Sequence, residues 1–178
     1  MPADRFIEAL NEQIGSEFGS SHQYLAAAIW YDNQTLPRLA KIFYHQALEE
    51  RQHGLMMARY LLDWGLRPRV PGIREPRQEF ADFVEPITKA LEQERRVTDQ
   101  ISKLAMIARE ENDYVSEQFM HWFLKEQVEE IDLFLSLQEV AERSRDRVMD
   151  VEEYIARENV GSHGDDPTAP GAAGGALG

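Results

Sequence analysis

The sequence predicts an all-α protein, an antiparallel four-helix bundle with one long crossover and a short fifth C-terminal helix.

Three observations carry that expectation. Prolines and glycines cluster in two stretches, 67–76 and 161–178. The long segments between them are rich in Ala, Leu, Glu, Gln, Arg and Met, the residues that lose least on entering a helix. Within those segments apolar residues recur about every 3.5 positions, the period of a helix with one face in a bundle core.

The elements follow in order. The pattern predicts α1 over 4–33, with Asp4 as its cap. It predicts α2 over 37–65, opened by Pro37, whose fixed backbone angle suits a first turn, and closed at Gly65, which tolerates a left-handed end. A third helix, α3, is expected over 84–111 with Pro86 in its first turn, a fourth, α4, over 114–144, and a short α5 over 148–158. Helices of such length, roughly 42–46 Å at 1.5 Å per residue, find partners mainly in bundles.

The links from α1 to α2 and from α3 to α4 are short, so each pair folds back as a hairpin. The stretch from Leu66 to Phe83, with Pro68, Pro71, Gly72 and Pro76, is long enough when extended to cover the height of the bundle. It makes α2 and α3 parallel. Residues 1–160 are therefore expected as one domain. Residues 161–178, with alanine and glycine after Pro170, read as a disordered tail: a solvated end, or less simply a docking peptide for another shell protein.

Composition narrows the chemistry. With 178 residues and 43% apolar content, a single sizeable core is expected. The net charge of -13 excludes the basic footprint that nucleic acid or an anionic membrane requires and points to cations, or simply to solubility. No cysteine is present, so a metal would be held by oxygen and imidazole. Asp4, Glu8, Glu12 and Glu17 interrupt the region where a signal peptide needs an apolar run, and no uncharged run is long enough to span a membrane. The expected setting is cytoplasmic.

The apolar stripes break in one place on every helix. In α1 the stripe Leu10, Ile14, Glu17, Ser21, Tyr24, Ala28 contains a carboxylate. In α2 the stripe of Leu39, Phe43, Met57, Tyr60 and Trp64 passes through Gln46, Glu50 and His53. In α3 it passes through Glu94, and in α4, between Phe123 and Phe134, through Gln127 and Glu130. Helices of similar length have coincident midpoints, so these residues are expected to converge on one interior layer. Several buried carboxylates cost more than a domain's spare stability unless neutralised. No Arg or Lys occupies the stripes, which leaves protons or metal ions.

Glu50 and His53 are spaced i, i+3, so both can reach one ion. Oxygen ligands with one imidazole suit iron or manganese better than structural zinc. Glu50 can bridge two ions, one near Glu17 and His53, the other near Glu94 and Gln127 or Glu130. Tyr24 lies on the same face as Glu17, where its hydroxyl either bonds the site or is satisfied locally in the core.

These residues resemble those of the ferritins over positions 4–158, in helix lengths, crossover, short fifth helix and the order Glu17, Tyr24, Glu50-x-x-His53, Glu94, Gln127. The two-metal carboxylate bundle is a known architecture for such proteins. Gln127-x-x-Glu130 in place of a second Glu-x-x-His resembles non-haem ferritins, and Arg51 stands where bacterioferritins place a haem-ligating methionine, so no haem is expected. The resemblance implies a ferroxidase: two Fe(II) bound by Glu17, Glu50, His53, Glu94 and Gln127 are oxidised by dioxygen or peroxide, and ferric mineral collects inside a 24-subunit octahedral cage. It also implies a third iron position at Glu49, Glu126, Glu129 and Glu130, although paired acids on a helix also make an ordinary solvated face. Glu117 and His121, near the start of α4, match the family's pores or simply complement the helix end. The family places α5 at a fourfold junction, while Val151, Tyr154 and Ile155 also suit packing on the bundle. Two other readings use the same bundle: a di-iron peroxidase or oxygenase, and a non-enzymatic helical scaffold with a polar layer.

Overall fold

The computed structural model describes residues 1–161 and 166–175. Its helices are α1 (Asp4–Asn33), α2 (Pro37–Asp63), α3 (Glu85–Glu110), α4 (Tyr114–Arg143) and α5 (Val148–Glu158). The ends have identifiable causes. Pro37 opens α2, and Gly65, at φ 73°, turns the chain after it, with Gly65 N–H donating to Leu62 O and Leu66 N–H to Leu61 O. Asp113 caps α4, its Oδ1 accepting from Ser116 N at 3.1 Å. Asp4 is a correction: Ala3 is the cap residue of α1, without a side-chain cap bond, and Asp4 contributes negative charge to the first turn.

The crossover climbs α1. Arg69 N donates to Asn11 Oδ1, Pro71 lies over Gly15, Ile73 over Gly19, Arg77 N donates to Gln23 Oε1, and Phe80 meets Trp30 edge-on. The contacts advance together along both segments, so the crossover runs parallel to α1 for about 28 Å. Because α1 and α2 are antiparallel, this return sets α2 and α3 parallel, the topology expected from its length. Gly15 is required here: a Cβ would stand 2.7 Å from Pro71 Cγ.

The core is divided into two apolar clusters. One contains Tyr31, Leu39, Phe43, Ile87, Leu91, Phe134 and Leu137; the other contains Phe6, Leu10, Ile14, Met57, Ile101, Met120 and Phe123. Full burial of such side chains stabilises the fold by about 1.5–3 kcal/mol each. Chain order places the stripe breaks between them: Glu17 follows Ile14, Glu50 lies between Phe43 and Met57, Glu94 between Leu91 and Ile101, and Gln127 between Phe123 and Phe134.

Helix α5 closes one end, burying Val151 and Ile155 in the first cluster. Its buried Glu152 accepts from Arg38 N at 3.0 Å and Leu39 N at 2.9 Å, satisfying amides at the start of α2 that have no partner within the helix. Of the terminal stretch expected as a disordered tail, residues 162–165 and 176–178 lie outside the described residues. In the described part, Asp166 Oδ2 accepts from Trp122 Nε1 at 3.1 Å and Lys125 Nζ at 3.2 Å, and Ala173 N donates to Leu55 O at 3.0 Å. No helix among the described residues is long and apolar enough to cross a membrane.

Candidate metal centre

The seven residues that interrupt the stripes are all buried: Glu17, Gln46, Glu50, His53, Glu94, Gln127 and Glu130. Helices α1 and α2 bring Glu17, Glu50 and His53 together, each offering a ligand atom within 4.8 Å of the others. The His53 ring is held edge-on against Trp122 and Phe123. Close approach of the two helices depends on Gly54, where a Cβ would lie 2.7 Å from the Phe18 ring.

Helices α3 and α4 contribute the other side. Gln127 Nε2 donates to Glu94 Oε2 at 3.0 Å and lies 3.2 Å from both the Glu94 carbonyl and Thr98 Oγ1. Tyr24 donates from its hydroxyl to Glu94 Oε1, while its ring stacks on Phe134. Both alternatives for Tyr24 are therefore combined: a packed ring with its hydroxyl on the site.

Among the described residues, several buried oxygens have no hydrogen-bond partner: Glu17 Oε2, both oxygens of Glu50, Glu130 Oε2 and Gln46 Oε1. Orphaned acceptors of this kind carry a penalty of about 1–3 kcal/mol each, more when charged. A divalent cation satisfies them and cancels the repulsion, so the donor set fits a hard or borderline metal ion. Without one, the carboxyls hold protons. Burial, followed by the charges of Glu94 and Glu17, pushes Glu50 well above the ordinary carboxylate range. Burial raises Glu94 to about 7 against the opposing hydrogen bonds from Tyr24 and Gln127. Burial and the charges of Glu49 and Glu94 raise Glu130 well above its ordinary value. Burial lowers His53, keeping the imidazole neutral and available as a ligand.

The outer acids are less closely gathered. Glu49 is partly exposed and accepts from Gln46 Nε2, next to Glu130. Glu126 is partly buried beside Glu129, which is exposed and pairs with Lys125 Nζ at 3.8 Å. Glu117 is buried against Arg109, whose Nε donates to it at 2.8 Å, and His121 Nε2 lies 3.8 Å away. Arg51 is exposed.

Sequence reasoning missed one contributor, Gln13, and left a second, Gln46, as a stripe position without a role. Gln13 is buried and donates to Glu17 Oε1 at 2.8 Å, and Gln46 lies one turn before Glu50 with its carbonyl unpartnered. A buried amide four residues from a buried carboxylate was the available signal for each.

Comparison with known proteins agrees with this architecture. Residues 7–144 match the family model for the ferritin-like domain. The chain is 48% identical to ferritin BfrB of Mycolicibacterium smegmatis, covering 97% of this chain and 95% of that protein. It is 44% identical to ferritin BfrB of Mycobacterium tuberculosis, covering 99% and 97%. Among solved structures, the open pore ferritin of Archaeoglobus fulgidus superposes with a TM-score of 0.82 at 25% identity, covering 91% of this chain and 99% of that one. With matching helices, a long crossover and relatives along nearly its whole length, the chain belongs to the ferritin family.

Proposed function

We propose that this ferritin binds two Fe(II) side by side in the polar layer, oxidises them there and stores the ferric product in a 24-subunit octahedral cage. Ferroxidase activity and iron storage belong to the chain as a ferritin; the assignment of residues is the proposal. Glu17, Glu50 and His53 hold one ion, and Glu50, Glu94 and Gln127 hold the other, with Glu130 beside the second. The observation that carries this is the cluster of orphaned carboxylate oxygens around Glu50, facing Glu17 and His53 within the reach of a single ion.

Two adjacent Fe(II) supply two electrons, which dioxygen or peroxide accepts. The protein's part is to bring the ions together without competing cations of its own, and to keep His53 neutral. Glu49, Glu126, Glu129 and Glu130 form a third iron position on the outer side, supported by the mutual influence of Glu49 and Glu130 and of Glu126 and Glu129. Exposed apolar residues on α1 and the crossover, Leu25, Ile29, Val70 and Ile73, support contact between subunits. The setting proposed for the assembly is cytoplasmic.

The test is aerobic addition of Fe(II) to the metal-free protein, with ferric absorbance followed beside a Glu50→Ala, Glu94→Ala double variant and the particle sized. Fast oxidation by a large assembly, lost in the variant, supports the assignment. Equal rates in protein and variant remove it.

A further inference from the structure

Glu17 has two carboxylate oxygens in different circumstances. Its Oε1 accepts from Gln13 Nε2 at 2.8 Å, whereas Oε2 is buried without a hydrogen-bond partner among the described residues. Gln13 is itself only 4% exposed, and its Nε2 also reaches Gln100 Oε1 on α3 at 3.3 Å. Gln100 Oε1 accepts in addition from Ser16 Oγ at 3.0 Å. The amide is thus oriented by its nitrogen: both acceptors face Nε2, so a flipped amide would set oxygen against oxygen twice.

This bracket separates Glu17 from the solvent groove between α1 and α3, a space of about 200 Å³ that Gln13, Ser16 and Gln100 line. It gives Glu17 the kind of support that Tyr24 and Gln127 give Glu94. We propose that Gln13 is a positioning residue for the centre: anchored on Gln100, its amide holds one oxygen of Glu17 and leaves the other directed to the metal shared with Glu50 and His53. The proposal rests on the reading of Glu17 as a ligand. A neutral donor is suited to the task, because it fixes the carboxylate without cancelling the charge that the metal needs.

The test is titration of the metal-free assembly with Co(II), reading both affinity and the visible ligand-field spectrum, so that the result does not depend on turnover. Gln13→Leu keeps most of the volume and removes the donor. It is expected to weaken the tighter Co(II) site about tenfold and alter its spectrum, the scale on which groups supporting metal ligands act. Affinity within twofold of the parent and an unchanged spectrum would overturn the proposal. Glu17→Ala separates the two claims. If it leaves Co(II) binding unchanged, the ligand reading fails; if it weakens binding while Gln13→Leu does not, only the positioning role fails. Should Gln13→Leu fail to assemble, the exposed Gln100→Leu removes the outer anchor: a loss of more than twofold supports the bracket, and no loss overturns it.

Discussion

Tyr24 and Glu94, 70 residues apart, are joined by a buried hydrogen bond from the phenol to Glu94 Oε1, while Gln127 holds Oε2 from the opposite helix. One tyrosine therefore ties α1 to α3 at the height of the metal centre. Burial and the charges of Glu94 and Glu50 push its own ionisation well above the ordinary range, so the phenol remains a donor.

Tyr24→Phe removes that donor while retaining the ring packed on Phe134. The bond opposes the upward effect of burial on Glu94, so its loss raises Glu94 further above about 7 and leaves more of it protonated at neutral pH. Metal affinity at the second position is expected to fall about tenfold. Fe(II) oxidation followed at several pH values should show the largest deficit below neutrality, narrowing in alkaline buffer.

The metal-free protein is expected to lose stability as pH rises from the ordinary carboxylate value of 4.5 through about 7. Glu50, Glu94 and Glu130 all have raised values in the folded state. The stability associated with their protonated forms is fully present below the ordinary value of 4.5 and is lost as pH rises through the folded value, about 7 for Glu94. His53 is lowered and acts in the opposite sense, its contribution disappearing as pH falls. Calorimetric melting of the metal-free protein should therefore show a falling midpoint, with a shallower slope in Glu94→Gln. A divalent metal should reverse the trend, because it binds the deprotonated ligands.

Glu152→Ala should destabilise the metal-free protein by about 1–3 kcal/mol, since it strands the Arg38 and Leu39 amides at the start of α2. Glu152→Gln retains acceptor oxygen but loses the charge facing the helix end, and should cost less. Denaturant unfolding of both variants measures the difference. Equal stability to the parent would mean that water replaces the carboxylate.

At Gly65, φ is 73° and open space surrounds the position of a Cβ, so substitution acts through the backbone alone. Gly65→Ala should cost about 1 kcal/mol and Gly65→Asn less, because Asn adopts the left-handed region more readily. Thermal melting of the pair provides the comparison.

The local pattern carried much of the fold. The observed bounds of α1 and α5 coincide with those expected, while α2 ends at Asp63 rather than residue 65 because the final turn gives way to Gly65. Glu17, Glu50, His53, Glu94, Gln127 and Glu130 stood out because each broke a regular apolar stripe. Asp4 was misread as a cap, since the capping role depends on the dihedral angles of Ala3 as well as on residue type.

The sequence by itself determined the helices, the place of the crossover and the polar layer, because each is written in a short period or in turn chemistry. Tertiary structure decided which oxygen of Glu17 is held by Gln13, which helix Glu152 caps, and that Tyr24 reaches Glu94. Those contacts depend on the rotation and relative height of helices distant in the chain. A displacement of one or two ångströms would break them while leaving every apolar stripe intact.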